Sequence, residues 1–155
     1  MTELNKDVYW MRHALSLAQR AEREGEVPIG AVVVQDNHII GDGWNQPIQL
    51  DDPTAHAEII AIRHSAKTIR NYRLNSSTLY VTLEPCMMCV GAILYARIER
   101  LVFGASDQRA GAVQSVFQLI DTPGVMHKMQ WQGGILSDAC AQLLKDFFKV
   151  KRLYR

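Results

Sequence analysis

No apolar run in this chain approaches the roughly 20 residues that a membrane-spanning helix needs, and the opening MTELNKDVYW has neither the basic start nor the apolar stretch of a secretory signal. The expectation is a cytoplasmic protein. Cysteine is scarce, three in 155 residues, and an odd count with two of them only three positions apart does not make a disulfide framework. That spacing points to metal instead. Net charge is nearly absent too: 17 lysines and arginines against 16 aspartates and glutamates leave +1, which argues neither for nor against a polyanionic partner. The chain has no internal repeat, low-complexity tract or domain linker, so residues 1–155 read as one domain, long enough to bury most of its apolar surface without staples. A hydrophobic share of 48% with 21% charged residues excludes a disordered or fibrous chain.

Where the charge lies is more informative than its sum. Lys145, Lys149, Lys151, Arg152 and Arg155 face a single acid, Asp146, at the C-terminal end, so the rest of the chain is net acidic and the end is a basic patch.

Periodicity supplies the elements. Val8, Met11, Leu15 and Ala18 are spaced as one face of a helix that Gly25 ends. Ile29 to Gln35 and His38 to Trp44 read as strands of a hairpin turning at Asp36-Asn37, the first the more buried. Asn45 to Pro53 is a loop, and Thr54 to Lys67 is a helix with Pro53 fitting its first turn. Thr78 to Leu83 alternates as a strand, and Pro85 marks the start of a helix through Cys86, Cys89, Ile93 and Ala96. Leu101 to Gly104 is a short strand. Between Asp107 and Gly134 the pattern predicts only a short helix near Phe117 and a strand near Met129. Ser137 is placed to cap a last helix whose Cys140, Leu143, Leu144 and Phe147 share one face. Strands alternating with helices predict a three-layer α/β/α sandwich with a central mixed sheet.

Cys86 and Cys89 at a helix start can aim both sulfurs at one point, where free N–H groups and the helix dipole favour thiolates. His56, also near the start of a helix that follows a strand and loop, is the candidate third ligand for zinc. The chain offers no obvious fourth: Cys140 sits on the apolar face of the last helix, and His13, His38, His64 and His127 have no Cys or His at ligand spacing. Structural zinc sites are closed by four protein ligands, whereas a catalytic site keeps one position for water. Three donors therefore predict catalytic zinc. Glu58 lies two residues from His56, a spacing that points side chains apart in mid-helix, and only at a helix tip can the two converge. There the carboxylate can stay off the metal and exchange protons with an activated water. Taken alone, Glu58 is simply an acid favoured by the helix dipole.

His56-Ala57-Glu58 followed by Pro85-Cys86-Met87-Met88-Cys89 has the form H-x-E then P-C-x-x-C, the signature of zinc-dependent nucleobase deaminases. Beyond it the chain resembles the bacterial tRNA-specific adenosine deaminases, of the cytidine/deoxycytidylate deaminase superfamily, almost end to end. The likeness runs through Glu26 to Ala31, Gly43-Trp44-Asn45, Asp52 to Glu58, Asn71 to Leu74, Leu79 to Cys89, Val102 to Ala105, Asp107, and Phe147 to Arg152. It implies a cytidine-deaminase-like fold, one Zn2+ per subunit on His56, Cys86 and Cys89, Glu58 as the catalytic proton carrier, a homodimer, and conversion of the wobble adenosine of a tRNA anticodon to inosine. It also implies substrate contacts at Asn45, Ala57 and Asp107, and a single-stranded anticodon loop calls for a basic, aromatic surface, which the last helix offers: Lys149, Lys151, Arg152 and Arg155 for phosphates, and Phe148 or Tyr154 to stack on a base. Arg109 stands where lysine is usual in that family, and Gln114 where glycine is common.

The metal motif is shared with cytidine, cytosine and guanine deaminases, so a free base or nucleotide is the alternative substrate. A non-catalytic RNA-binding module with structural zinc is another, and it requires a fourth ligand. On the residues alone Asn45 is also a good turn former. The basic end is equally a solvated helix terminus favoured by its dipole. Asp107 is the misfit: a carboxylate beside a phosphate backbone repels it, unless the carboxylate accepts from a 2′-hydroxyl, which RNA has and DNA lacks. The competing reading has Asp107 capping a turn and pairing with Arg109.

Overall fold

The computed structural model describes residues 1–125 and 127–154, which leaves Arg155 of the basic patch outside the described residues. The chain opens with helix α1 (Glu3–Arg23), where the Thr2 hydroxyl accepts from the Asn5 N–H and Gly25, at φ +79°, turns the chain beyond its end. Strands β1 (Gly30–Gln35) and β2 (His38–Trp44) form the expected hairpin. Asp36 and Asn37 take φ of 51° and 63°, the left-handed pair that a two-residue turn between right-twisted strands demands. Then follow α2 (Ala57–Ile69), β3 (Ser77–Leu83), α3 (Met87–Tyr95), β4 (Arg100–Ala105), β5 (Gln130–Gln132) and α4 (Ser137–Leu153). None of these helices is long and apolar enough to cross a membrane.

The five strands make one mixed sheet in the order β2-β1-β3-β4-β5. Strand β1 runs antiparallel to both its neighbours, while β3, β4 and β5 are parallel. Parallel neighbours need crossovers, which α3 supplies between β3 and β4. Helices α1 and α4 cover one face of the sheet, through Trp10, Met11, Ala14 and Cys140 against Val32, Val34, Tyr80 and Val102. Helices α2 and α3 cover the other, through Ala57, Ala61, Val90 and Ile93 against Ala31, Val33, Leu79, Val81 and Phe103. The three layers are those expected from the alternation of strands and helices.

Two glycines set how closely helix and sheet approach. A Cβ on Gly30 would lie 2.1 Å from the Ala14 carbonyl oxygen in α1, and one on Gly43 would lie 2.6 Å from the Ala57 carbonyl oxygen in α2. The second contact seats the first turn of α2, and so His56 and Glu58, directly on the end of β2.

Local expectations needed correction at three places. Helix α2 begins at Ala57, three residues later than the pattern suggested, and Pro53 lies in the preceding turn rather than in the first turn of the helix. Ser137 does not cap α4: the cap position is Leu136, at φ 53°, which offers no side-chain acceptor, and Ser137 is the first helical residue. The helix anticipated near Phe117 is a single 3-10 turn at Leu119–Asp121.

Far from the C-terminal ends of the strands, Asp7 of α1 is buried against the start of β4. Its two oxygens accept from the Arg100 guanidinium at 2.7 and 2.8 Å, and Oδ1 also accepts from the Tyr80 hydroxyl at 3.0 Å.

Candidate active site

The loop into α2 and the end of β3 bring two helix starts together. His56 is the N-cap of α2 and Cys86 the N-cap of α3, both in extended backbone conformation, and neither side chain caps its own helix. Freed from capping, they turn toward each other and toward Cys89 in the first turn of α3. His56 Nδ1 lies 3.7 Å from Cys86 Sγ and 3.5 Å from Cys89 Sγ. Tetrahedral zinc with Zn–S near 2.3 Å and Zn–N near 2.0–2.1 Å requires N to S separations of about 3.5–3.6 Å. The donor set therefore fits the ion in both chemistry and spacing. Among the described residues it is the one cluster of three such donors. Among the described residues no fourth Cys, His or carboxylate joins this cluster, the arrangement of a centre that keeps one position for water.

The hydrogen bond with Cys89, with His56 adding to it, holds the Cys86 thiol well below the usual thiol range, and the same bond pushes Cys89 up. The bond with Cys86 raises His56. Both sulfurs must be deprotonated to bind a metal.

Glu58 is the second residue of α2, at the helix tip where the sequence required it to be, and is only 4% exposed. Burial pushes its carboxyl up to about 7, while His56 opposes the shift. A carboxyl of this kind beside a metal position can both take and give a proton near neutral pH.

Asn45 begins the loop after β2 and is buried, with its Oδ1 accepting from the Ala57 N–H at 2.9 Å. Since that N–H can only donate, the amide orientation is fixed and the Asn45 NH2 is the group left to meet a ligand. Ala57 is fully buried and its N–H is already used. Asp107 uses Oδ1 to accept from the backbone N–H groups of Arg109 at 3.0 Å and Ala110 at 3.3 Å. It is a turn cap, as one of the two readings held, bound to the backbone of Arg109.

A groove of about 1220 Å3 runs between the 105–110 loop and α4. Asp107 and Arg109 line one side and Lys145, Phe148, Lys151 and Arg152 the other, with Tyr154 at the end. Phe148 is 45% exposed, so it is not a core residue. Lys149 is exposed on α4 but does not line the groove. Gln114 does not take a positive φ, so the side chain standing where glycine is common strains nothing.

Besides Asp7, two buried acids whose role the sequence pattern does not reveal hold loops. Glu26 accepts from the N–H groups of Ile48 and Gln49 in the loop between β2 and α2. Glu84 accepts from four backbone N–H groups and a hydroxyl in the loop after β4. The one available signal for Glu84 was its place at a strand end directly before Pro85-Cys86, ahead of a segment rich in small residues.

Residues 4–105 match the family model described as the cytidine and deoxycytidylate deaminase zinc-binding region. A tRNA-specific adenosine deaminase of Haemophilus influenzae is 56% identical over 147 residues, covering 94% of this chain and 85% of its own. A solved structure from work on A-to-I editing by tRNA:A34 deaminases at the wobble position of transfer RNA superposes with a TM-score of 0.85 at 42% identity, over 88% of this chain and 99% of the other. A guanine deaminase from Nitrosomonas europaea shares the fold at a TM-score of 0.75 but only 22% identity, over 90% of this chain and 83% of the other.

Proposed function

Because this chain belongs to the tRNA-specific adenosine deaminases, within the cytidine and deoxycytidylate deaminase family, we propose that it hydrolyses the wobble adenosine of a tRNA anticodon to inosine. The observation that carries this is the three-donor centre, with the buried Glu58 in the first turn of the helix that His56 begins; a basic and aromatic groove lies between the 105–110 loop and α4. His56, Cys86 and Cys89 would hold zinc, which would lower the pKa of a water to near neutrality. Asn45 donates its NH2 to the base and fixes its orientation. Glu58 takes one proton from the water as the water's oxygen bonds to C6, and delivers that proton to the ring nitrogen beside C6. The water's second proton then passes through Glu58 to the amine, the C6–N bond breaks, and inosine and ammonia leave.

An anticodon loop is single-stranded, so its target base leaves the stack at little cost and its neighbours need a basic surface with aromatic platforms. Lys145, Lys151 and Arg152 meet phosphates, with Phe148 and Tyr154 available for stacking. A free-base deaminase has no use for this groove. Lys149 contributes at longer range from the same helix. Asp107, with Oδ1 committed to its turn, has its other oxygen to accept from a 2′-hydroxyl.

The chain works as a homodimer in the cytoplasm. Helix α3 carries no charged residue, and its outer face leaves Met87 and Tyr95 55% and 83% exposed beside the exposed Tyr72. A second copy is the partner that covers this face, and sedimentation showing a stable monomer at micromolar concentration would overturn it. The deaminase reading is tested by incubating the zinc-loaded protein with total tRNA and an anticodon stem-loop, then analysing nucleosides. Inosine in the RNA is expected, and ammonia released only from free guanine or cytosine would refute the assignment.

A further inference from the structure

The loop from Asp107 to Ser115 contains neither strand nor α-helix, and its first part, Asp107 to Ala110, forms one wall of the groove. Its backbone N–H groups cannot be satisfied by a ladder and must find partners elsewhere. Four of them find the same carboxylate. Glu84 Oε2 accepts from Val113 at 3.1 Å, Gln114 at 2.9 Å and Ser115 at 3.0 Å. Its Oε1 accepts from the Asp107 N–H at 3.0 Å and from the Ser115 hydroxyl. The side chain is 2% exposed, so these are bonds in a dry setting. Burial alone would raise its pKa, but the bonds from Ser115, Gln114 and Asp107 outweigh it and hold the carboxyl below its usual range.

The loop is shaped around this acceptor. A Cβ on Gly111 would lie 2.4 Å from the Glu84 carboxyl carbon, so only glycine lets the chain pass over it. The Ala112 N–H donates to the Pro85 carbonyl at 2.8 Å, tying the same loop to the next residue along. Glu84 and Pro85 immediately precede Cys86. One tripeptide thus bears a metal ligand and the two acceptors that hold the groove wall.

We propose that Glu84 is a positioning residue for the RNA: its carboxylate fixes the 107–115 loop, whose Asp107–Ala110 part walls the groove, relative to the metal-bearing start of α3, and so sets where the anticodon backbone lies when the base reaches the centre. This rests on the RNA-deaminase reading. Glu84→Gln is nearly isosteric. It keeps one oxygen for the three donors at Oε2, but turns an NH2 toward the Asp107 N–H, which loses its acceptor.

The test is steady-state kinetics on an anticodon stem-loop, with zinc content and amide hydrogen exchange measured on the same preparations. For Glu84→Gln, KM rises about tenfold, the equivalent of one charge-assisted hydrogen bond. The accompanying fall in kcat stays within about threefold. Zinc remains at one per chain, the amides of Asp107 and Val113 to Ser115 lose protection, and those of α3 keep it. Gly111→Ala, which retains the charge but crowds the carboxyl, moves KM the same way and covers the case in which the first variant does not fold. Unchanged KM and protection in a folded variant would overturn the proposal, as would loss of zinc with kcat at constant KM. The exchange measurement needs no RNA, so a wild-type protein that leaves the stem-loop unreacted would count against the substrate reading alone.

Discussion

The Asp7–Arg100 pair offers a measurement of what a buried ion pair does for this fold at a distance from the chemistry. Asp7 is 3% and Arg100 16% exposed, joined by two bonds of charge-assisted length. Replacing Asp7 by Asn removes the charge and turns an NH2 toward the guanidinium. Breaking one side of a buried pair costs about 3–5 kcal/mol, mostly because the surviving charge is stranded. Here Glu3 stands 3.6 Å from Arg100 Nε, so the guanidinium keeps an exposed partner and the loss belongs at the low end, about 3 kcal/mol. Arg100→Met strands Asp7 instead, with only the Tyr80 hydroxyl left, and should cost more. Removing both charges leaves nothing stranded, so the double variant should lose about 2 kcal/mol less than the sum of the singles. Urea unfolding of the zinc-loaded protein measures all three, with an unchanged m-value required in each. The pair flanks the start of β4, opposite the strand ends that lead into the centre, so kcat/KM of the folded variants should match the parent. Losses under about 1 kcal/mol for both singles, or strict additivity in the double, would refute the reasoning.

Glu58→Ala should retain one zinc and the native circular dichroism spectrum while inosine formation falls by at least about a hundredfold, the usual contribution of a positioned acid–base group; near-parent turnover would remove Glu58 from proton transfer. Truncation after Phe148 deletes Lys149, Lys151 and Arg152 of the described end. It should weaken tRNA binding and flatten the slope of log affinity against log salt by about 0.7 per lost phosphate contact. An unchanged slope in a folded protein would assign the tail a structural role alone. Asp107→Asn keeps an oxygen to cap the turn to Arg109 and Ala110 but removes the charge. It should raise activity on a DNA stem-loop more than on the RNA one, and an equal change on both at the same salt would dismiss the 2′-hydroxyl contact.

The elements legible in the sequence were those with strong periodicity or fixed turn chemistry: α1, the Asp36-Asn37 hairpin, β3, and the Pro85 entry to α3. The metal donors were legible because three ligand-type residues at two helix starts are rare, and Glu58 because its spacing made sense only at a helix tip. The groove wall was not. Four N–H groups of residues 107–115 are held by one carboxylate fixed 23 to 31 positions earlier in the chain, and no local pattern reports so distant a partner. The Asp7–Arg100–Tyr80 cluster was hidden for the same reason, since its members lie 73 and 93 residues apart. Ser137 is not the cap because Leu136, in a left-handed conformation, takes the cap position and Ser137 is already the first helical residue.

Helices α2 and α3 both begin on a residue that gives its own helix no capping bond. An ordinary cap is worth about 1 kcal/mol; Asn45 Oδ1 accepts from the Ala57 N–H where His56 does not cap, and Cys86 gives α3 no such bond. Bound zinc would fasten the side chains of His56 and Cys86 and so tie the start of α2 to the start of α3. Chelation is therefore expected to loosen the first turns bearing Glu58 and Cys89 together, as a joint loss of amide protection in the two.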